Sequence, residues 1–91
     1  MARIIVERTH TLGREVAREK AEQLAAKLAH EYGVSCEWHG DVLAVRRSGA
    51  EGRIEVEESR VKVLLNLGLL FSAMGGSVQA QIERALDKAL A

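Results

Sequence analysis

The chain of 91 residues has little of several features that often point to a function. Its single cysteine, Cys36, allows no internal disulfide, which is typical of a reducing compartment. Proline is absent and only three residues are aromatic, so aliphatic side chains must form the core. No apolar stretch reaches the roughly 20 residues of a membrane-spanning helix, and the first residues lack the apolar segment of a signal peptide. We therefore expect a soluble, cytoplasmic protein with no membrane span.

Neither sign of charge is in excess, since 13 Lys and Arg residues balance 13 Asp and Glu residues. Proteins that bind nucleic acid usually carry a basic excess, so this balance argues against a nucleic-acid partner but still allows a local basic patch. Hydrophobic residues make up 47% of the chain, which is enough for a core. The length is that of one small domain. The sequence predicts a single domain over residues 1–91.

Apolar periodicity predicts seven elements in the order β-α-β-β-β-β-α. A β-branched strand covers residues 3–7, and in residues 12–32 apolar side chains recur every three or four positions, as on one side of a helix. Thr11 is the predicted N-cap of that helix and Gly33 its end. Residues 34–67 alternate between apolar and polar with period two, which predicts four short strands joined by tight turns.

The predicted fold class is α+β, arranged as a two-layer sandwich. A second helix follows Gly75 and Gly76, with Ser77 as its predicted N-cap. Each strand has one apolar face, so we expect a mostly antiparallel five-stranded sheet with both helices on one face. The pattern does not decide whether the first strand pairs with the second or with the last.

The sequence contains no arrangement typical of a catalytic or metal site. Cys36 and His39 have the spacing of half a metal site, but residues three apart on a strand point to opposite faces, and no second such pair exists. We predict no metal ion, with Cys36 as a small core side chain. The histidines accompany no nucleophile, and the acidic residues lie at solvent-facing positions. We therefore expect no catalytic residues, no cofactor and no enzymatic activity.

The most apolar stretch, LGLLFSAMGG at residues 67–76, is the first candidate binding segment. Its large apolar residues Leu69, Leu70, Phe71 and Met74 follow one another too closely for one side of a helix or one face of a strand. Three interpretations stay open: the end of the core, the subunit interface of a homo-oligomer, or a patch that meets an apolar partner.

Arginines around the predicted turn at residues 48–52 form the second candidate. Arg46, Arg47 and Arg53 flank this turn. Their guanidinium groups could hold a carboxylate or a phosphate in bidentate fashion. They could equally pair with the glutamates of residues 55–58 as an exposed, mutually neutralised face, which is the interpretation that we favour.

Six motifs, spread over nearly the whole chain, are shared with a known family: Ile4-x-Val6-Glu7-Arg8-x-His10-x-Leu12, Tyr32-Gly33-Val34, Trp38-x-Gly40-Asp41, Arg46-Arg47-Ser48-Gly49-x-x-Gly52-x-Ile54, Leu67-Gly68-x-Leu70 and Ile82-Glu83-x-x-Leu86-Asp87. In these motifs the chain resembles the small proteins named for the polyhydroxyalkanoate system or granule region. The resemblance implies a bacterial cytoplasmic protein associated with storage of polyhydroxyalkanoate, a water-insoluble polyester. It carries over no catalytic residue.

Two hypotheses follow for the function. The first is a non-enzymatic accessory protein that binds the polyhydroxyalkanoate granule surface, or a granule-associated protein of the synthesis machinery, through the apolar segment. The alternative is a small nucleic-acid or ribosome-binding module that uses the arginines around the turn at residues 48–52. The zero net charge and the scarcity of aromatic side chains for base stacking argue against the alternative.

Overall fold

Seven elements follow one another along the chain, in a computed structural model that describes residues 2–68, 73 and 75–90. They are β1 (Ala2–Thr9), α1 (Arg14–Tyr32), β2 (Ser35–His39), β3 (Val42–Arg47), β4 (Ala50–Val56), β5 (Arg60–Leu67) and α2 (Gly75–Leu90). The order β-α-β-β-β-β-α and the α+β class are those predicted from the periodicity.

The five strands form one sheet in the order β1-β5-β4-β3-β2, and every neighbouring pair is antiparallel. The first strand therefore pairs with the last, which decides the question that the pattern left open. Since β1 and β2 lie at opposite edges, the chain between them must cross the sheet. The connection at residues 10–13 makes most of this crossing: His10 donates its N–H to the carbonyl oxygen of Ser59 in the β4–β5 turn, and Arg14, the first residue of α1, already lies 3.6 Å from Asp41 in the β2–β3 turn. α1 then runs along β2 and β3 rather than across the sheet.

Both helices lie on one face of the sheet, as predicted. α1 packs against β2, β3 and β4, while α2 packs against β1 and against α1. Between the layers lies one core of aliphatic side chains, contributed by every element except β2: Ile4, Val6, Ala17, Ala21, Leu24, Ala25, Leu28, Leu43, Val45, Ile54, Val56, Val61, Val63, Leu65, Leu67, Val78, Ile82 and Leu86. No helix within the described ranges is long and apolar enough to cross a membrane.

Neither of the two described helices lies on the opposite face of the sheet, which we call the outer face. It is formed by the side chains that alternate with the core positions: Arg3, Ile5, Glu7, Thr9, Ser35, Glu37, His39, Val42, Ala44, Arg46, Glu51, Arg53, Glu55, Arg60, Lys62, Leu64 and Asn66. Basic and acidic residues are mixed on it, so it has no large area of one sign.

Both predicted serine and threonine caps are wrong. α1 begins at Arg14, with Gly13 as its N-cap and no side-chain hydrogen bond there. The φ angle of Gly13 is 83°, a conformation that L side chains rarely adopt, so the chain turns into the helix at this glycine rather than at Thr11. α2 already begins at Gly75, which places Ser77 inside its first turn. The predicted end of α1 at Gly33 is confirmed.

Cys36 is exposed, so the prediction of a core side chain is wrong. Its strand, β2, is the edge of the sheet, where little packs beyond the side chain. Cys36 does lie on the helix-covered face, opposite buried Val45, with its Sγ atom 3.8 Å from the carbonyl oxygen of Ala25. This partial burial raises the pKa of the thiol.

Candidate functional site

The apolar candidates Leu69, Leu70, Phe71 and Met74 lie outside the described residues. The structure does show the residues on either side of their segment, Gly68 and Gly75. Gly68, directly after β5, donates its N–H to the carbonyl oxygen of Gly49 at 2.7 Å, and Gly75 is buried at the start of α2. The chain therefore leaves β5 at the end of the sandwich that holds the β3–β4 turn, and it enters α2 at Gly75.

A small apolar cavity lies at this end of the sandwich, between the helices and the sheet. Its lining includes Leu28, Tyr32, Val45, Leu67 and Val78. The volume is about 30 Å³, whereas sites for small molecules usually have roughly 300 Å³ or more. The cavity is a local packing gap and does not offer room for a cofactor.

Arg47 stands at the same end and on the helix-covered face. In the register of the sheet it lies opposite Ala50, which in turn lies opposite Leu67. Its guanidinium group donates a hydrogen bond to the carbonyl oxygen of Tyr32, the last residue of α1. A cation at a helix C-terminus satisfies a free carbonyl and interacts favourably with the helix dipole. Arg47 thus has a structural role, holding the end of α1 to β3.

The other two candidate arginines lie on the outer face. Arg53 contacts Glu55 along its own strand, with Nε 2.6 Å from Oε2. Arg46 is exposed and lies opposite Glu51 of β4. The structure therefore divides the predicted cluster, because Arg46 and Arg53 share a face that Arg47 does not.

A further arginine of the outer face, Arg60, lies at the other end of the strands beside the β4–β5 turn and is also paired with carboxylates. Arg60 binds Glu57 with Nη2 2.5 Å from Oε2, and its Nη1 lies 3.5 Å from Glu7 Oε1. The hydrogen bond with Glu57 raises the pKa of Arg60, so this side chain stays charged. Of the three candidate arginines, Arg53 is thus paired with a glutamate as the favoured interpretation predicts, whereas Arg47 binds a helix end instead.

The Trp38-x-Gly40-Asp41 motif forms a network with α1. The guanidinium carbon of Arg18 lies 3.9 Å from the centre of the Trp38 ring. Nη1 of the same arginine donates hydrogen bonds to the Gly40 carbonyl oxygen at 2.7 Å and to Asp41 Oδ1 at 3.0 Å. Trp38 Nε1 donates to Glu22 at 2.8 Å. The network fastens the β2–β3 turn to the helix.

The periodicity that predicts α1 gives no sign of this contact of Arg18. Its position 20 residues before Trp38 gives no local signal of the contact. The contact arises because α1 starts at the end of the sandwich that holds the β2–β3 turn, where Arg14 also lies 3.6 Å from Asp41, and then runs along β2 and β3.

His10 is the one buried polar side chain in the part of the chain that the structure describes. Its Nδ1 accepts the N–H of Leu12 at 3.2 Å, and its Nε2 lies 3.2 Å from the carbonyl oxygen of Glu57. A neutral ring with its proton on Nε2 satisfies both contacts. His10 fastens the start of the β1–α1 connection to the β4–β5 turn and presents no free nitrogen to a substrate.

The described residues contain no group of three or more side chains arranged to hold a metal ion. The register places Cys36 opposite Val45 and His39 opposite Val42. Because Val45 is in the core and Val42 is on the outer face, the two side chains point to opposite faces of β2, as the spacing predicted.

Comparison with known proteins gives two similarities. The family described as "Putative polyhydroxyalkanoic acid system protein" matches residues 4–90. The NMR structure of PA4090 from Pseudomonas aeruginosa is similar with a TM-score of 0.61 and 12% sequence identity, over 97% of this chain and 83% of that one. At this identity the likeness shows a shared fold alone. No curated protein matches the sequence.

Proposed function

The chain belongs to the polyhydroxyalkanoic acid system protein family, and from this premise we propose that it is a non-enzymatic accessory protein of polyhydroxyalkanoate storage. It acts in the cytoplasm, at the granule surface or on the machinery that synthesises the polyester. The observation that carries this proposal is the family match over residues 4–90.

The contacts of the potentially reactive side chains support a role without catalysis. Both ring nitrogens of His10 are engaged by the backbone. The raised pKa of Cys36 lowers the fraction of thiolate, which is the nucleophilic form. Catalysis needs such groups to converge at a sheltered place, whereas His10 and Cys36 belong to opposite edges of this sheet.

Leu69, Leu70, Phe71 and Met74 supply the proposed contact with the granule. Burial of one large apolar side chain is worth about 1.5–3 kcal/mol, so four of them provide roughly 6–12 kcal/mol before the costs of association. The backbone contact between Gly68 and Gly49 anchors one end of the segment to the rigid sheet. Exposed Arg46, near the same end of the sandwich, is available to carboxylates of a granule protein.

Sedimentation of native granules with the purified protein tests this contact. We expect the parent chain to pellet with the granules and the L70D/F71D double variant to stay in the supernatant, because carboxylates oppose burial in an apolar surface. V16D is a matched control, since Val16 is an exposed apolar residue on α1, far from the segment in sequence. It should pellet like the parent.

Folding of each variant is checked by far-UV circular dichroism, with L70S as a milder substitution if the double variant unfolds. A folded L70D/F71D variant that pellets as well as the parent would show that the contact is wrongly assigned. Repeating the assay with protein-free polyester particles separates the two partners: binding to both kinds of particle indicates the polymer, and binding to native granules alone indicates a granule protein.

A further inference from the structure

β1 is an edge strand that pairs with no strand other than β5 among the described residues, and it is unusually regular for such a strand. All eight residues pair with β5 in a continuous register from Ala2–Leu67 to Thr9–Arg60, with no bulge. The chain has no proline that would block further pairing. Proteins usually protect such an edge, because its free backbone groups can pair with another strand.

The direction of the backbone groups follows from one hydrogen bond. His10 donates its N–H to the carbonyl oxygen of Ser59 at 2.9 Å. Since N–H and C=O groups in an antiparallel strand alternate sides, the even-numbered residues of β1 face β5. Arg3, Ile5 and Glu7 therefore direct their backbone donors and acceptors away from the sheet, and their side chains are exposed on the outer face.

We propose that β1 pairs antiparallel with β1 of a second copy of this chain, about a two-fold axis through Ile5. The two five-stranded sheets then form one ten-stranded sheet. Ile5 exchanges two backbone hydrogen bonds with Ile5 of the partner subunit. Arg3 exchanges two backbone hydrogen bonds with Glu7 of the partner subunit, and by symmetry Glu7 exchanges two with Arg3 of the partner subunit. Six backbone hydrogen bonds therefore join the two strands.

The outer-face side chains are self-complementary in this register. Ile5, 50% exposed, is the more exposed of the two large apolar residues on the described surface. In the dimer its side chain contacts Ile5 of the partner subunit. Arg3 stands directly opposite Glu7 of the partner subunit, twice. Opposite charges in such cross-strand pairs are stabilising and like charges are destabilising.

No neighbouring register gives the same match. A shift by two residues in either direction places Ile5 opposite Arg3 or Glu7 of the partner subunit, so both the apolar pair and the charge pairs are lost. A shift by one residue would turn the core side chains Ile4 and Val6 to the outer face. The existing contacts leave room for the pairing. Arg3 contacts Asn66 at 3.4 Å and Glu7 contacts Arg60 at 3.5 Å, both at the exposed surface. The Glu7 carbonyl oxygen accepts a hydrogen bond from Nη1 of Arg8 at 2.9 Å and keeps a second lone pair for the partner strand.

Charge-reversal variants test this pairing, with the dimer measured by sedimentation velocity over a series of protein concentrations. The pairing does not depend on the proposed function. We expect the parent chain to form a dimer. R3E and E7R each replace two attractive pairs with two repulsive ones, so each should weaken the dimer roughly tenfold or more. The double variant R3E/E7R should restore it, and a mixture of the two single variants should form a heterodimer. R46E is the matched control, since it reverses an exposed charge on β3 and should not change the dimer.

Hydrogen exchange identifies the surface directly. The amides of Arg3, Ile5 and Glu7 should exchange more slowly as the concentration rises through the dimerisation range. Two results would overturn the proposal: a chain that is monomeric at every concentration, or a dimer in which these amides remain fast and the charge reversals have no effect. The second result would assign the dimer to another surface, such as the segment of residues 69–74.

Discussion

His10 has a structural role that the sequence pattern did not indicate. It lies at the end of β1, where the chain leaves the sheet, with 6% of its surface exposed. Its two ring nitrogens contact backbone groups of Leu12 and Glu57. A buried histidine with both nitrogens engaged stabilises the connection and has no capacity left for catalysis.

We therefore expect His10→Ala to lower the free energy of unfolding by about 1–3 kcal/mol, because it leaves a buried N–H and a buried carbonyl without partners. Urea unfolding measures the change. His39→Ala is the control, because the His39 side chain is 63% exposed on the outer face and its removal should change stability by no more than about 0.5 kcal/mol. Equal midpoints for H10A and the parent would contradict this role.

At the scale of elements, the motif from Arg46 to Ile54 is explained by how β3, β4 and β5 approach one another. Arg47 fastens the end of α1, and Ile54 is fully buried in the core. Gly52 lies where β4 and β5 are closest: a Cβ atom there would lie 2.1 Å from the carbonyl oxygen of Leu64. Much of this motif is thus explained by backbone geometry and packing, and it does not by itself indicate a ligand site.

Gly52→Ala should destabilise the protein by at least about 1–3 kcal/mol, the usual cost of forcing extra atoms into a packed region. Gly76→Ala is the matched control, since nothing lies within 4 Å of a Cβ atom at that position in α2. Alanine favours helix over glycine by about 1 kcal/mol, so this variant should be slightly more stable than the parent. Thermal unfolding of the two variants should move in opposite directions, and a G52A midpoint at or above that of the parent would refute the close approach.

At the scale of the whole molecule, the two layers share a single core. α1 contacts three strands, α2 contacts β1 and α1, and each strand except β2 contributes to the same cluster of buried residues. No group of elements in the described structure has a core of its own. Such a domain is expected to unfold in one cooperative step.

Two probes can test this cooperativity. Far-UV circular dichroism follows both helices, and the fluorescence of Trp38 follows the contact between β2 and α1, because its ring lies against Arg18 and its Nε1 bonds to Glu22. We expect the two urea transitions to coincide. A Trp38 transition at clearly lower urea would show that the edge strand separates before the core unfolds.

The sequence by itself determined the number, type and order of the elements and most of the core. This was possible because alternation with period two and stripes with period 3.6 are local consequences of having one buried face. It also determined the end of α1 at Gly33, since a glycine after the last periodic residue is a local signal. The family resemblance likewise rests on motifs within the chain.

Only the tertiary structure decided which strands are edges, and the wrong prediction for Cys36 follows from that. Cys36 alternates like a core residue but is exposed because β2 is an edge strand. The separation of Arg47 from Arg46 and Arg53, by contrast, follows from the local alternation along a strand. The Arg18–Trp38 contact and the free edge of β1 depend on pairing β1 with β5, which are more than 50 residues apart in the chain. Such long-range pairing is set by the packing of all elements together, and no local pattern specifies it.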